Sequence, residues 1–231
     1  MRLGIAPLTP YDGSAVGDVF YDLVVTLGRP VFWMVSRRVM LHPERINRRG
    51  AFILAANHIS PYDVPVLMRE SPRDLDWVSI TEFFRRPLLH RFFGGLNAFP
   101  LDRTRTDPLT VRVILERLRR RRVVAMFPEG GWRPPKTSVL HGGPFKPGVV
   151  RIAQLADVPI IPCVVLGTRN FNSPLAWLPI RRTRYAVAFG QAIWPRKDLS
   201  EGAAREVALA ELQESYLLLY QELSAASGIT F

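Results

Sequence analysis

His58 and Asp63 are the residues of this chain whose types and spacing most directly point to catalysis. A neutral imidazole can take a proton from a hydroxyl group, and a carboxylate on its other nitrogen fixes the tautomer and stabilises the cation that forms. The pair follows residues 51–56, an apolar run that predicts a buried strand. In α/β proteins the catalytic residues usually lie where a strand ends and a helix begins, so the position of His58 suits a general base.

A second interpretation of the same stretch is purely structural. Ser60 and Pro61 predict a helix start, with the serine as N-cap and the proline at the first helical position, where its missing N–H is no loss. Asp63 would then complete a capping box, and His58 would lie in a loop without chemistry. Taken alone, the HX4D spacing favours this interpretation, although an aspartate can cap a helix and face an imidazole at once.

Composition sets wide limits. The 231 residues are 48% hydrophobic, enough for one large domain or two small ones, and the net charge is +11. Only three of the basic residues are lysines, and arginine forks are suited to phosphate. Such a basic surface could bind an anionic lipid, a phosphorylated metabolite or a nucleic acid, or could simply be solvated. The net charge alone does not distinguish these possibilities.

Cys163 is the single cysteine and lies in an apolar run, so an internal disulfide and zinc sites built on paired cysteines are excluded. We predict that it belongs to the core. The first 14 residues lack the sustained apolar core of a signal peptide, which predicts a cytosolic active domain. Arginines at 117 and 119–122 crowd the end of a predicted helix, and we interpret them as a solvated face rather than a nucleic-acid patch.

Residues 17–41 contain two apolar runs separated by Gly28, Arg29 and Pro30, which rules out an uninterrupted span of about 20 residues. The pattern predicts two short helices, at 20–27 and 31–39. The second carries aromatic and basic residues typical of a bilayer interface, although packing on the core explains them equally well. These residues are Phe32, Trp33, Met34, Arg37 and Arg38.

Predicted strands and helices alternate along the rest of the chain. We expect an α/β fold with a largely parallel central sheet flanked by helices, preceded by an N-terminal membrane-contacting helical segment. Residues 1–41 would form the lead and interfacial helices, and residues 42–231 the catalytic domain. The strands are expected at 51–56, 76–80, 123–127, 158–166 and 183–189. The helices are expected at 64–69, where the helix that starts at Pro61 continues, and at 109–122, 149–156 and 201–223.

Four short motifs occur in a fixed order: NHISPYD at 57–63, AFPLDR at 98–103, FPEG at 127–130 and VPIIP at 158–162. FKPG, at 145–148, lies between the last two. This order resembles the signature of the glycerolipid acyltransferases, the family that contains 1-acylglycerol-3-phosphate acyltransferase. Because four motifs coincide, the catalytic interpretation of the HX4D pair overtakes the cap-only one.

The resemblance implies a role for each matching residue. His58 would be the general base for the acceptor hydroxyl, and Asp63 the carboxylate that orients it, so that neither an enzyme nucleophile nor a metal or redox cofactor is needed. Arg103 would bind the acceptor phosphate, although the same sequence would also fit a surface arginine that pairs with a neighbouring aspartate. Glu129 and Gly130 would meet the polar part of the acceptor, with Lys146 as a second cation or simply a solvated lysine.

Two departures from the family pattern concern the acceptor. Asn97 stands where the family has a glycine six residues before the motif-two arginine. Gly131 and Trp132 stand where it has Thr-Arg, with Arg133 one position later. The catalytic pair is untouched by these changes, whereas the identity of the acceptor is left open.

The expected reaction moves a fatty acyl group from acyl-CoA or acyl carrier protein to 1-acylglycerol 3-phosphate, making phosphatidic acid for phospholipid biosynthesis. Glycerol 3-phosphate, another lysolipid or an aminolipid are alternative acceptors. A basic lipid- or nucleic-acid-binding module is an alternative of another class, although it would not need HX4D and FPEG. The expected partners are the membrane surface, the lysophospholipid and the acyl donor, not nucleic acid. The expected location is the cytoplasmic face of the cell membrane, with peripheral or monotopic attachment.

Overall fold

The computed structural model describes residues 15–80, 84, 86–101, 108–180 and 182–231, and its centre is a seven-stranded sheet. The strand order is β1-β7-β6-β2-β5-β3-β4. The strands are β1 (Ser36–Leu41), β2 (Phe52–Ala56), β3 (Leu75–Ile80), β4 (Ala98–Leu101), β5 (Val123–Met126), β6 (Ile160–Leu166) and β7 (Thr183–Phe189).

Helices cover both faces of the sheet and bury two apolar clusters against it. One face carries α1 (Ala15–Val35), α2 (Asp63–Glu70) and α3 (Pro87–Gly95). The opposite face carries α4 (Pro108–Arg119), α5 (Gly148–Ala156) and α6 (Glu201–Ser227). Since β2 lies between β5 and β6, it is covered from both sides, which explains why all five of its residues are apolar and buried.

The direction of the strands fixes which residues share an edge of the sheet. Every neighbouring pair is parallel except β6 and β7, which are antiparallel. The carboxyl ends of β2, β5 and β6 therefore meet at one edge. Because β7 is reversed and β1 is parallel to β7, the starts of these two strands point to that same edge. The expected α/β fold with a largely parallel sheet is confirmed, and Cys163 lies fully buried in it, as predicted.

The N-terminal segment differs from the prediction. A single helix runs through Pro30, and residues 36–41, expected to be mostly helical, form an edge strand paired with β7. Buried side chains on both sides of the proline, Tyr21 and Val35, anchor the helix to the core and so offset the cost of a proline inside it. The boundary expected at residue 41 therefore falls at the end of a strand of the sheet.

Of the two interpretations of residues 31–39, packing on the core is the one that holds for Phe32. Its side chain is buried, with its ring 5.6 Å from that of Phe171 and 5.5 Å from that of Trp177. Trp33 and Met34 are exposed, at 65% and 46% of their surface. Successive residues of a helix point about 100° apart, so a three-residue aromatic and apolar run cannot lie on one face. No helix among the described residues is long and apolar enough to span a bilayer.

Two of the arginines at and after the end of α4 form ion pairs that the sequence pattern did not predict. Arg117 is buried and donates to Asp76 at 3.0 Å, so its interpretation as a solvated residue is wrong. Arg122 binds Asp76 and Asp18, each at 2.7 Å, and so ties α1 to the amino ends of β3 and β5. Arg119 is exposed, as expected.

We expect Asp74→Asn to stabilise the fold in a pH-dependent way. Burial, with the Asp22 and Asp18 carboxylates nearby, raises the pKa of Asp74 from 3.8 to about 6. The folded state therefore holds this proton more tightly than the unfolded chain, and stability falls as the pH rises from about 4 to about 6. The substitution should raise Tm by about 2–4 °C at pH 7.5 and by much less at pH 4.5.

Calorimetry at both pH values would check this expectation. Asp198→Asn is the matched control, because Arg196 lowers the pKa of this exposed carboxyl to about 2 and its loss should give no gain. An equal gain from Asp74→Asn at the two pH values would show that ionisation of Asp74 is not what limits stability.

Candidate active site

The candidate site begins where β2 ends, and a buried amide fixes that end. Asn57 follows the strand, and its side chain donates to the carbonyl of Val165 at 3.0 Å and accepts from the N–H of the same residue at 2.7 Å. The amide thus behaves as an extra strand residue paired with β6. The backbone is therefore fixed at the residue immediately before His58.

His58 and Asp63 are in contact, as the sequence predicts. The Nδ1 atom of the histidine lies 2.8 Å from Oδ2 of the aspartate. The same carboxylate accepts the backbone N–H groups of Ile59 at 2.7 Å and Ser60 at 2.9 Å, and the hydroxyl of Thr168. Asp63 is completely buried, so these four donors replace the water that the carboxylate loses.

The helix after the pair begins later than predicted. Its first residue is Asp63 and not Pro61, because residue 62 occupies the N-cap position. The side chain of Ser60 accepts from the N–H of Tyr62 at 3.2 Å, while Asp63 reaches back to the serine N–H. The predicted N-cap at Ser60 is therefore wrong, but the carboxylate does both things that the two interpretations asked of it, since Oδ2 binds the N–H groups of the turn and the imidazole at once.

Trp132 defines the tautomer of the histidine, and sequence reasoning noted this residue only as a departure from the family pattern. Its indole Nε1 lies 2.8 Å from Nε2 of His58. An indole N–H is only a donor, so Nε2 must be the accepting nitrogen and Nδ1 must carry the proton toward Asp63. The imidazole ring of His58 also stacks on the ring of Phe127, with centroids 3.9 Å apart. Nε2 is therefore the basic atom, and it points toward an exposed side chain.

Glu129 is placed differently from the expectation that it meets the acceptor. It is fully buried at the turn after β5, where Oε2 accepts the backbone N–H of His58 at 2.7 Å. Oε1 accepts the hydroxyl of Ser138 at 2.9 Å and the N–H of Val139 at 3.0 Å. A carboxylate with these partners fixes the histidine backbone and is not open to a ligand.

Gly130 and Lys146 lie side by side next to this turn. The glycine has a φ of +73°, and a Cβ built on it would come within 2.8 Å of the lysine Cε. A side chain at this position would therefore collide with the lysine and strain the backbone. The lysine is exposed, so its ammonium group lies at the surface beside the Glu129 turn.

Arg103 lies outside the described residues, so its expected role in phosphate binding rests on the motif. Asn97 is described, and it lies away from the dyad at the amino end of β4, with a φ of 59°. Its side chain donates to Asp18 of α1 at 3.1 Å. This departure from the family pattern therefore serves the anchoring of α1.

Cys163 is not placed to act as a nucleophile, because its side chain is fully buried. Burial, with the Asp63 carboxylate nearby, raises the pKa of its thiol well above 9.0, which keeps it protonated. Among the described residues, no group of three or more histidine, cysteine or acidic side chains is arranged to hold a metal ion.

The fold is an α/β sheet with a buried carboxylate oriented against an imidazole at the end of a strand, an arrangement suited to a general base. The profile of the acyltransferase family matches residues 38–166. The chain belongs to this family, and the resemblance noted in its motifs is confirmed.

Individual relatives agree with this assignment. A Bacillus subtilis 1-acyl-sn-glycerol-3-phosphate acyltransferase is 26% identical over 125 residues, which are 54% of this chain and 60% of the relative. Enzymes of the same name from Saccharomyces cerevisiae and Limnanthes alba are 32% and 28% identical, over 61% and 73% of this chain and 47% and 56% of theirs. The chain thus spans about half to three fifths of the length of these relatives.

A solved structure agrees in fold. The crystal structure of the 1-acyl-sn-glycerophosphate (LPA) acyltransferase PlsC from Thermotoga maritima superposes with a TM-score of 0.63. The two sequences are 21% identical, and the match covers 88% of this chain and 81% of the other. At this identity the likeness concerns the fold alone.

We expect Trp132→Phe to make Nε2 of His58 more reactive. The substitution keeps an aromatic ring but removes the donor, and a hydrogen bond of this kind is worth about 0.5–1.5 kcal/mol. Modification of His58 by diethyl pyrocarbonate should accelerate about two- to tenfold, as measured by peptide mass spectrometry. His141 in the same sample is the internal reference. An unchanged rate at His58 would mean that the indole does not cover Nε2 in solution.

Proposed function

We propose that this protein transfers a fatty acyl group from a thioester donor, acyl-CoA or acyl carrier protein, to the free hydroxyl of 1-acylglycerol 3-phosphate. The observation that carries the proposal is the His58–Asp63 contact, which leaves Nε2 of the histidine as a base facing outward. The names of the relatives support the choice of acceptor.

The proposed reaction moves one proton out and back. As the acceptor oxygen attacks the thioester carbon, its proton passes to Nε2 of His58, and Asp63 stabilises the imidazolium. Collapse of the tetrahedral intermediate breaks the carbon–sulfur bond, and the imidazolium returns the proton to the leaving thiolate. The substrate hydroxyl is itself the nucleophile, so the reaction needs no enzyme nucleophile and no metal or redox cofactor.

The acceptor must displace Trp132 to react. Its hydroxyl has to lie within hydrogen-bond distance of Nε2, where the indole N–H is now placed. Lys146 and Gly130 adjoin the turn of Glu129, which binds the backbone of His58, and we assign the lysine, with Arg103, to the acceptor phosphate. Glu129 acts as a positioning residue in this scheme, because its carboxylate is committed to the backbone of His58.

The proposed location is the cytoplasmic face of the cell membrane, with α1 at the surface of the bilayer. Lysophospholipid and product both have acyl chains, and exposing a chain to water costs about 0.8 kcal/mol per CH2 group. The exposed side chains of Trp33 and Met34 support this contact. A truncation of residues 1–41 cannot test it, since it would also remove strand β1.

We expect His58→Ala to lower kcat/KM by a factor of about 10² to 10⁴ in a folded protein, because general-base catalysis is lost. Asp63→Asn should also be severely impaired, since the amide no longer holds the imidazolium. Acyl-thioester consumption measures both effects, and His141→Ala serves as a control that removes a histidine elsewhere. Turnover near the wild-type rate in folded His58→Ala would refute the mechanism.

Arg103→Ala should raise the KM for the acceptor while leaving the KM for the donor unchanged. Arg103→Lys should restore only part of the loss, because a point-charge ammonium does not reproduce a bidentate fork on phosphate. Steady-state kinetics at varied acceptor concentration decide this, with Arg119→Ala as the control for loss of a surface charge. If KM and kcat/KM for the acceptor stay the same, Arg103 does not bind the phosphate.

A further inference from the structure

A cavity of about 680 Å³ lies apart from the catalytic pair, and five of its eight lining residues are arginines. It is formed where the last turns of α1 meet the start of β1, with contributions from α2 and from the residue before β7. His58 and Asp63 do not line it. Its arginines are Arg29, Arg37, Arg38, Arg69 and Arg182, and Trp33 stands among them.

The charge of this cavity is largely uncompensated. Glu70 pairs with two of the arginines, lying 2.6 Å from Arg38 and 3.5 Å from Nε of Arg69. For the other three arginines, the described part of the chain offers no carboxylate within 4.0 Å. Guanidinium groups that share one cavity repel each other, and a bound anion would relieve this repulsion.

Two of the arginines are held in place before any ligand arrives. Arg69 donates to the hydroxyl of Tyr185 at 2.7 Å and to that of Ser36 at 3.2 Å, and only 13% of its side chain is exposed. Arg182 lies over the ring of Trp33, 5.2 Å from its centroid. Planar forks fixed in this way bind phosphate at a lower entropic cost than mobile side chains do.

Exposed apolar side chains lie on α1, whose last turns form one wall of the cavity, and on residues 174–180, which pack on the end of this helix. On α1 these exposed apolar side chains recur at the spacing of a single helix face. Residues 174–180 carry further exposed apolar side chains. This segment packs on the end of α1, where the rings of Phe32 and Trp177 lie 5.5 Å apart. These side chains are Val19, Leu23, Leu27, Val31, Trp33 and Met34 on the helix, and Leu175, Leu178 and Ile180 on the segment.

We propose that the arginine cavity binds the phosphate headgroup of an anionic phospholipid while the exposed apolar side chains of α1 and of residues 174–180 enter the bilayer. A site for a soluble anion would have no need of exposed apolar side chains on the same helix, whereas the combination of basic and apolar groups matches a membrane interface. The proposal deepens the proposed function and rests on it for its purpose, because docking brings the lysophospholipid to the catalytic pair.

The cavity is close enough to the dyad for this purpose. Arg69 follows Asp63 by six residues in α2, which places their Cα atoms about 9 Å apart along the helix axis. The starts of β1 and β7 also point to the edge of the sheet where His58 lies. A headgroup held by the cavity therefore keeps the membrane surface within one lipid length of the base.

Vesicle co-sedimentation tests the proposal with two double variants of equal charge. Arg37→Gln/Arg182→Gln removes two cavity arginines, and Arg112→Gln/Arg119→Gln removes two exposed arginines of α4, on the opposite face of the sheet. With phosphatidylcholine vesicles containing phosphatidylglycerol, we expect the cavity variant to lose about tenfold or more in affinity and the control about threefold or less. Equal losses would overturn the proposal, since they would reflect net charge alone.

Soluble probes distinguish the sources of phosphate. Calorimetry should detect binding of a water-soluble, short-chain phosphatidylglycerol to the wild-type protein and its loss in the cavity variant, with much weaker binding of inorganic phosphate. Displacement of this lipid by coenzyme A at an equal concentration would overturn the proposal in favour of a donor site.

Activity measurements separate this proposal from the proposed function. The cavity variant should acylate a water-soluble, short-chain acceptor at the wild-type rate and lose activity only on acceptor embedded in anionic vesicles. Loss of activity on the soluble acceptor would place these arginines at the reaction and overturn the docking role. Absence of all acyl transfer by the wild-type protein would refute the proposed function, while the vesicle comparison would still decide the binding site.

Discussion

The candidate site depends on one buried carboxylate. Asp63 accepts hydrogen bonds from His58, from two backbone N–H groups and from Thr168, so one side chain joins the end of β2, the start of α2 and the segment after β6. An ionised carboxylate without water is costly unless every lone pair is used. The need to satisfy it constrains all three segments, and the orientation of the imidazole follows from that constraint.

Glu129 applies the same principle to the other side of the histidine. Its carboxylate holds the backbone N–H of His58 and the 138–139 turn, while Asp63 holds the ring. With Phe127 against one face of the ring, the remaining polar atom of the histidine is Nε2. The two buried carboxylates therefore hold the backbone and Nδ1 of His58 and leave Nε2 to the indole of Trp132.

The sequence was informative where local patterns and burial coincide. The apolar run of β2 and the HX4D spacing predict the strand, the helix and the His58–Asp63 contact, because all three are set within 13 residues. It failed where long-range contacts decide. Strand β1 exists because it pairs with β7, nearly 150 residues away, and the partners of Glu129 depend on where a distant turn folds back. Neither signal is present in the local pattern.

The hydrogen bond between Trp132 and His58 shows what the tryptophan does at a position where the family pattern has Thr-Arg. An indole N–H can satisfy the lone pair of Nε2 as a hydroxyl would, yet it cannot accept or lose the proton that catalysis moves. The indole thus covers Nε2 of His58, while 60% of the Trp132 surface faces solvent, so displacing its side chain would not disrupt the core. In the proposed reaction an acceptor would compete with the indole by binding through its headgroup, so recognition of the headgroup and access to Nε2 would be coupled in a single event.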